Sequence, residues 1–202
     1  NINNITNNMK DELKKYFGFD NFMEKQEEII EDALTNKDQF VLLPTGSGKS
    51  ICYQLPAIIQ DGITIIISPL KSLIKDQINS LQKKGIEVYG FYGNTSPKDK
   101  LDILSEMTNL NCKVHIIYTT PETLDTNIEF CQNLHELNEN NRLRRFVIDE
   151  AHCISLWGND FRAAYRELSN IRENFKNVPI MALTATATNQ VLKDSIHLLQ
   201  LN

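Results

Sequence analysis

Short apolar runs alternate along this chain with stretches of helical spacing, and that alternation limits the possible folds more than any other feature. "QFVLL" (39–43), "ITIII" (63–67), "EVYGFY" (87–92), "KVHIIYT" (113–119), "RRFVID" (144–149) and "PIMALTAT" (179–186) read as strands. Helical spacing of apolar residues marks "MKDELKKYFG", "EKQEEIIEDAL" and "LKSLIKDQINSLQKK". It recurs from about Lys49, after Pro97, near 127–138, near 162–174 and from about Asn189, with Gly18 and Gly85 placed as helix stops. Strands alternating with helices imply βαβ units: an α/β fold, a mostly parallel β-sheet with helices on both faces. Ligands bind such sheets beyond the carboxyl ends of the strands. The chemistry-bearing residues should therefore follow strands, and they do.

Two polar stretches fall outside this pattern. "NINNITNN" (1–8) reads as a disordered Asn-rich tail, leaving 9–202 as one domain. "NLHELNENN" (133–141) reads as a surface loop without chemistry.

A chain of 202 residues buries enough surface, roughly 70%, to fold without disulfides or metals. Its longest apolar run, Ile63 to Ile67, is far short of the roughly 20 residues of a membrane span, so no membrane partner is expected. The four cysteines, Cys52, Cys112, Cys131 and Cys153, form no CxxC pair. That spacing argues against zinc and for a reducing compartment. The net charge is −5, whereas domains that hold nucleic acid by overall electrostatics are basic. Any nucleic-acid binding must come from a local site.

"LLPTGSGKS" (42–50) ends as a phosphate loop does but carries Leu43 where the pattern has its first glycine. Gly46 and Gly48 permit the turns that point successive backbone N–H groups, with those of Thr45 and Ser47, at phosphate oxygens. The following helix adds its positive end. Lys49 would reach the outer phosphates of ATP, and the Ser50 hydroxyl would hold Mg²⁺. The bland alternative is a Gly-rich strand–helix turn with an incidental lysine. About a hundred residues later, apolar Phe146-Val147-Ile148 ends in Asp149 and Glu150. Asp149 fits a metal ligand and Glu150 a base that orients the attacking water. Alone, such a pair would be a solvated strand end; behind a phosphate loop, it is chemistry.

"IDEAHCISLWGNDFR" (148–162) then sets large aromatics among polar residues. Taken with "TGSGKS" and "LTATAT" (183–188), it resembles motifs I to III of superfamily 2 helicases. "FGFDNFMEKQ" (17–26), "SPLKSLIKDQ" (68–77), "TTPE" (119–122) and "CISLWGNDFR" (153–162) narrow the resemblance to the RecQ DNA helicases, leaning to the eukaryotic Bloom-type branch. The likeness runs from about residue 9 to the end of the sequence.

The resemblance implies a RecA-like lobe of an ATP-dependent 3′-to-5′ DNA helicase acting on single-stranded and forked DNA in the nucleus. It implies ATP as substrate with Mg²⁺, and a second RecA-like lobe that supplies an arginine finger worth about 10³–10⁵ in rate. By itself this lobe is expected to bind nucleotide and hydrolyse it poorly. In the family, the loop after motif II senses single-stranded DNA; here it would use Trp157, Phe161 and Arg162. A base stacked on an aromatic is worth about 1–3 kcal/mol without sequence preference. Core packing of Trp157 and Phe161 is the alternative, and Tyr165 reads as packing. Motifs Ia and Ib would hold the DNA backbone through Ser68, Lys71 and Thr120. Thr184, Thr186 and His152 would link the nucleotide and DNA sites, although His152 also suits simple packing at a strand end.

At the adenine end, Phe19 and Gln26 match the family, while Met23 stands where the family has Arg. Leu156 and Asn159 replace a usual Gln and His. Weaker nucleotide binding and altered coupling are the expected results. An RNA helicase of the DEAD or DEAH kind shares motifs I to III, and a non-catalytic nucleic-acid or partner-binding module on the same fold is the remaining alternative. "CISLWGNDFR" argues against the first, and intact Lys49, Ser50, Asp149 and Glu150 against the second.

Overall fold

The strands are β1 (Gln39–Leu42), β2 (Ile63–Ile67), β3 (Val88–Phe91), β4 (Ile116–Thr119), β5 (Leu143–Ile148) and β6 (Ile180–Thr184). In this computed structural model they form one sheet in the order β1-β6-β5-β2-β4-β3, with every pairing parallel. The structure describes residues 2–44, 46–152, 161–186 and 188–201, without the side chains of 2–5 and 161–167.

The helices are α1 (Ile2–Phe17), α2 (Gln26–Leu34), α3 (Ile51–Ile59), α4 (Lys71–Lys83), α5 (Pro97–Thr108), α6 (Pro121–Thr126), α7 (Ile128–Glu139), α8 (Phe161–Asn174) and α9 (Asn189–Leu199). Central strand β2 shows why both sheet faces need cover, since all five of its residues are buried. Side chains alternate along a strand. Ile63, Ile65 and Ile67 enter one core with Phe130 of α7, Ile171 of α8 and Leu198 of α9. Ile66 enters the other, with Tyr53 of α3 and Ile74 of α4. Met9 and Leu13 of α1 pack outside this second layer, on Ile30 of α2 and Leu55 of α3.

Three expectations are corrected. The Asn-rich start is not a tail: α1 extends back to Ile2. The spacing Ile2, Ile5, Met9, Leu13 is helical, and the buried Met9 and Leu13 anchor turns from which a helix propagates at little cost. Residues 133–139 are not a loop but the second half of α7, because Leu134 and Leu137 continue the buried stripe begun by Phe130. The third concerns α3, which starts at Ile51 rather than Lys49; Lys49 and Ser50 sit in the turn before it.

Arg145 is a polar exception in the core. It lies on β5 with no exposure, and its Nη2 donates to the Ala33 carbonyl near the end of α2 at 2.6 Å and to Gln60 Oε1 at 3.0 Å. Its Nε and Nη1 have no partner. Arg172 contrasts with it: also buried, it pairs with Asp38 and donates to the Leu199 carbonyl.

Candidate nucleotide site

β1 delivers the chain to the phosphate loop along a ladder with β6 that continues past the strand, since Leu43 N–H donates to the Thr184 carbonyl at 3.2 Å. The Leu43 side chain is buried. At the position where a phosphate loop has its first glycine, this chain thus has a hydrophobic anchor. Gly46 and Gly48 then adopt φ of +85° and +70°, left-handed conformations that suit glycine. Thr45 lies outside the described residues, while Ser47 donates its hydroxyl to the Pro44 carbonyl and so closes the turn.

β5 brings the acidic pair to the same end of the sheet. Asp149 N–H donates to the Ile67 carbonyl at the end of β2, at 3.0 Å. Glu150 follows in a left-handed conformation, φ +55°, with its N–H on Asp149 Oδ1 at 2.9 Å. For a non-glycine residue this backbone is costly and places the two carboxylates to one side. Between them lies Lys49, its Nζ 3.3 Å from Asp149 Oδ1 and 2.9 Å from Glu150 Oε1. Burial alone would lower the Lys49 pKa; Asp149 and Glu150 together outweigh it and raise the value.

The acidic pair is tied to β6 through His152. Its Nδ1 lies 2.8 Å from Thr184 Oγ1 and 3.4 Å from Glu150 Oε2. The Thr184 hydroxyl donates to the Thr186 carbonyl at 2.8 Å and accepts from Thr186 N–H at 3.2 Å. A hydroxyl has one proton, and here the carbonyl takes it. Thr184 can only accept from His152, so Nδ1 carries the ring proton. The phosphate loop, the acidic pair and "LTAT" are therefore one connected set of polar contacts.

At the adenine end, Phe19 and Met23 are 55% and 52% exposed and open to a ligand. Gln26 is not, at 2% exposure. Its Oε1 accepts from Met23 N–H at 2.8 Å, and its Nε2 donates to the Gly48 carbonyl at 3.0 Å and the Ser47 carbonyl at 3.4 Å. An amide expected to face a base instead braces the phosphate loop.

Among the expected DNA-contacting residues, Lys71 is exposed in the first turn of α4, behind an N-cap, Leu70, with no capping side chain. A cation at the positive end of a helix adds to an anion-attracting field. Ser68 and Thr120 are buried, and the Thr120 hydroxyl caps α6 by accepting from Thr123 N–H. What they offer a strand is backbone placement rather than an open hydroxyl. Trp157, Leu156 and Asn159 lie outside the described residues; Phe161, Arg162 and Tyr165 fall in the first turns of α8, with their side chains outside them.

Sequence reasoning missed Tyr53 altogether. On α3, four residues after Lys49, it is fully buried and donates its hydroxyl to Asp149 Oδ2 at 3.1 Å. In sequence, "ICYQLPA" shows only a helix core, because the partner carboxylate is 96 residues away.

A family model described as DEAD/DEAH box helicase matches residues 23–195, most of the chain, including the phosphate loop, the acidic pair and "LTAT". The chain belongs to the DEAD/DEAH box helicase family. Its relatives within that family are RecQ-like. It is 43% identical to the RecQ-like DNA helicase blm-1 of Caenorhabditis elegans over 92% of this chain and 19% of the relative. It is equally identical, 43%, to the ATP-dependent DNA helicase Q-like 4B of Arabidopsis thaliana, over 97% of this chain and 17% of that protein. With the RecQ-like DNA helicase BLM of Xenopus laevis it shares 42% over 93% of this chain and 14% of the relative. The chain thus spans less than a fifth of the length of these relatives. Among solved structures, the DUF1998 helicase MrfA bound to DNA and AMPPNP superimposes with a TM-score of 0.74 at 24% identity, over 96% of this chain and 28% of that one. Lhr of Mycobacterium smegmatis bound to ssDNA and AMP-PNP gives 0.62 at 18%, over 88% and 25%. At those identities the likeness is one of fold: the RecA-like arrangement of a parallel sheet.

Proposed function

We propose that this chain is the nucleotide-binding lobe of an ATP-dependent 3′-to-5′ DNA helicase, in which ATP hydrolysis drives movement along single-stranded DNA and opening of forked duplexes. The observation that carries the reading is the Lys49 ammonium between Asp149 and Glu150, at 3.3 and 2.9 Å, on a loop whose glycines hold phosphate-cradling turns. The names of the relatives, ATP-dependent and RecQ-like DNA helicases, support the same activity for the whole protein.

Each residue then has a task. Gly46, Ser47, Gly48 and Lys49, with Thr45, bind the phosphates through backbone N–H groups and one ammonium. Among the described residues no three His, Cys, Asp or Glu side chains form a metal cage. Asp149 and the Ser50 hydroxyl nevertheless suit Mg²⁺, which accepts one or two protein oxygens and completes its shell with phosphate and water. The ion would neutralise charge on the transferring phosphoryl group. Glu150, released from Lys49, orients water as a base, and His152 and Thr184 hold its position. Adenine recognition by Gln26 requires its amide to exchange the Ser47 and Gly48 carbonyls for the base edge. Lys71 contacts a DNA phosphate, and Trp157, Phe161 and Arg162 form the strand-sensing segment. A second RecA-like lobe completes the ATP site, and a nuclear role in DNA repair and recombination follows from the RecQ-like kinship.

Calorimetry tests this. The chain is expected to bind Mg–ATP in preference to Mg–GTP, and Lys49→Ala to bind neither. Equal binding by wild type and Lys49→Ala would sink the reading. Comparing single-stranded DNA with RNA as activators of the full-length protein decides between DNA and RNA helicase.

A further inference from the structure

Behind the acidic pair, on the side away from the phosphate loop, lies a row of buried polar groups that the proposed chemistry does not use. Tyr53 and Tyr118 are essentially unexposed and Gln54 nearly so. Gln54 Nε2 donates to the Tyr118 hydroxyl at 3.1 Å and to Gln77 Oε1, on α4, at 2.9 Å. Beside Gln54 on α3, Tyr53 donates its hydroxyl to Asp149 Oδ2 at 3.1 Å.

Proton counting fixes the direction of this row. A tyrosine has one proton, an ionised carboxylate none, and an amide nitrogen two. Tyr53 gives its one proton to Asp149. Tyr118 in turn accepts from Gln54, whose second N–H goes to Gln77. Neighbouring residues of α3 thus hold Asp149 on one side and α4 on the other.

We propose that Tyr53 is a positioning residue that fixes the rotation of the Asp149 carboxylate, and that its α3 neighbour Gln54, through Gln77, ties it to α4, with Tyr118 holding the Gln54 amide. This deepens the proposed function and rests on it. With Oδ2 taken by Tyr53, the carboxylate presents Oδ1, beside the Lys49 ammonium, to the phosphate loop. None of the four is placed to touch nucleotide. Gln77 is half-buried on the helix whose first turn carries the exposed Lys71. A strand that shifts α4 therefore pulls on Asp149 through Gln77, Gln54 and Tyr53, a link between the two sites that runs on the sheet face opposite Thr184 and α9.

The test is a Mg²⁺ titration of binding of a fluorescent ATP analogue to the chain, with folding followed by thermal melts. Tyr53→Phe keeps the ring and removes the donor; it is expected to raise the Mg²⁺ midpoint roughly tenfold while metal-free nucleotide affinity stays unchanged. Gln77→Ala should raise it roughly threefold, and the double variant no further than Tyr53→Phe alone, because the link is already cut. Unchanged midpoints, or effects that simply add, would overturn the proposal. If Tyr53→Phe does not fold, Gln77→Ala decides by its own midpoint, raised or unchanged. Lys49→Ala separates the two failures. If that variant binds nucleotide as wild type does, the functional reading falls; if it does not bind and the midpoints stay put, only the positioning chain falls.

Discussion

The Lys49 ammonium touches Glu150 Oε1 at 2.9 Å although 101 residues separate them in sequence. In this arrangement the lysine that should grip phosphate neutralises the carboxylate that should orient water. On the proposed function, both are freed for their tasks when nucleotide draws the lysine away.

Replacing that lysine should be felt in stability as well as binding. Lys49→Ala leaves Asp149 and Glu150 facing each other without a counter-charge. The loss should be about 1–2 kcal/mol, below the ~3–5 of a fully buried pair, because these side chains keep 10 to 21% exposure. The Lys49 pKa is raised on folding, so its contribution is complete below the ordinary value of 10.5 and fades as pH rises through the higher folded value. Thermal melts of wild type and variant should differ by a constant amount at neutral pH, and the gap should narrow only above pH 10.5.

The two loop glycines should answer differently to alanine. A Cβ on Gly48 would lie 2.3 Å from Gln26 Nε2, against a buried brace, whereas one on Gly46 meets nothing within 4 Å. Both carry the left-handed strain of about 1–2 kcal/mol. Gly46→Ala should show that alone in a denaturant melt. Gly48→Ala should also lose nucleotide binding by calorimetry, and Gln26→Ala in the same chain should recover part of its stability.

Met23→Arg should tighten nucleotide binding. Position 23 is 52% exposed beside Gln26, with room for a guanidinium to stack on the base or reach a phosphate. A cation–π or charge-assisted contact at an open site is worth about 0.5–1 kcal/mol, or a two- to fivefold gain by calorimetry. No gain would mean that this residue is not near bound nucleotide.

Arg145→Met should cost nothing and can stabilise the chain by about 1–2 kcal/mol. The guanidinium is fully buried with two unpartnered nitrogens; burial first, then the neighbouring Arg144, push its pKa down to about 10. A base whose pKa falls on folding weakens the folded state while charged, and that penalty is relieved as pH rises past about 10. Denaturant melts of wild type and variant should therefore converge at high pH. A loss above about 2 kcal/mol at neutral pH would show that the Ala33 and Gln60 contacts dominate.

The fold was legible because strand periodicity and helix periodicity differ, and because loops rich in Gly and Asp-Glu fall after strands. Thr120-Pro121-Glu122 could have revealed α6, since a threonine cap before a first-turn proline and an acid is a helix start. It was read only as a possible DNA contact. The grouping of the site was legible at Lys49, Asp149, Glu150 and His152, charged or polar residues that the structure brings within contact distance. It was not at Gln26, whose amide serves the loop, nor at Tyr53, whose role depends on a distant carboxylate that spacing cannot show. Nor were the burial of Ser68 and Thr120 and the capping of α6 by the Thr120 hydroxyl legible from residue type.

Leu43 has a mechanical consequence. Its buried side chain and its N–H bond to the Thr184 carbonyl fasten the root of the phosphate loop to β6, and α3 fastens the far end. Between these two anchors the described residues are Pro44 and 46–50. Any displacement beyond that stretch must carry β1 and β6 together, so the loop and the "LTAT" segment move as one lever rather than as two hinges.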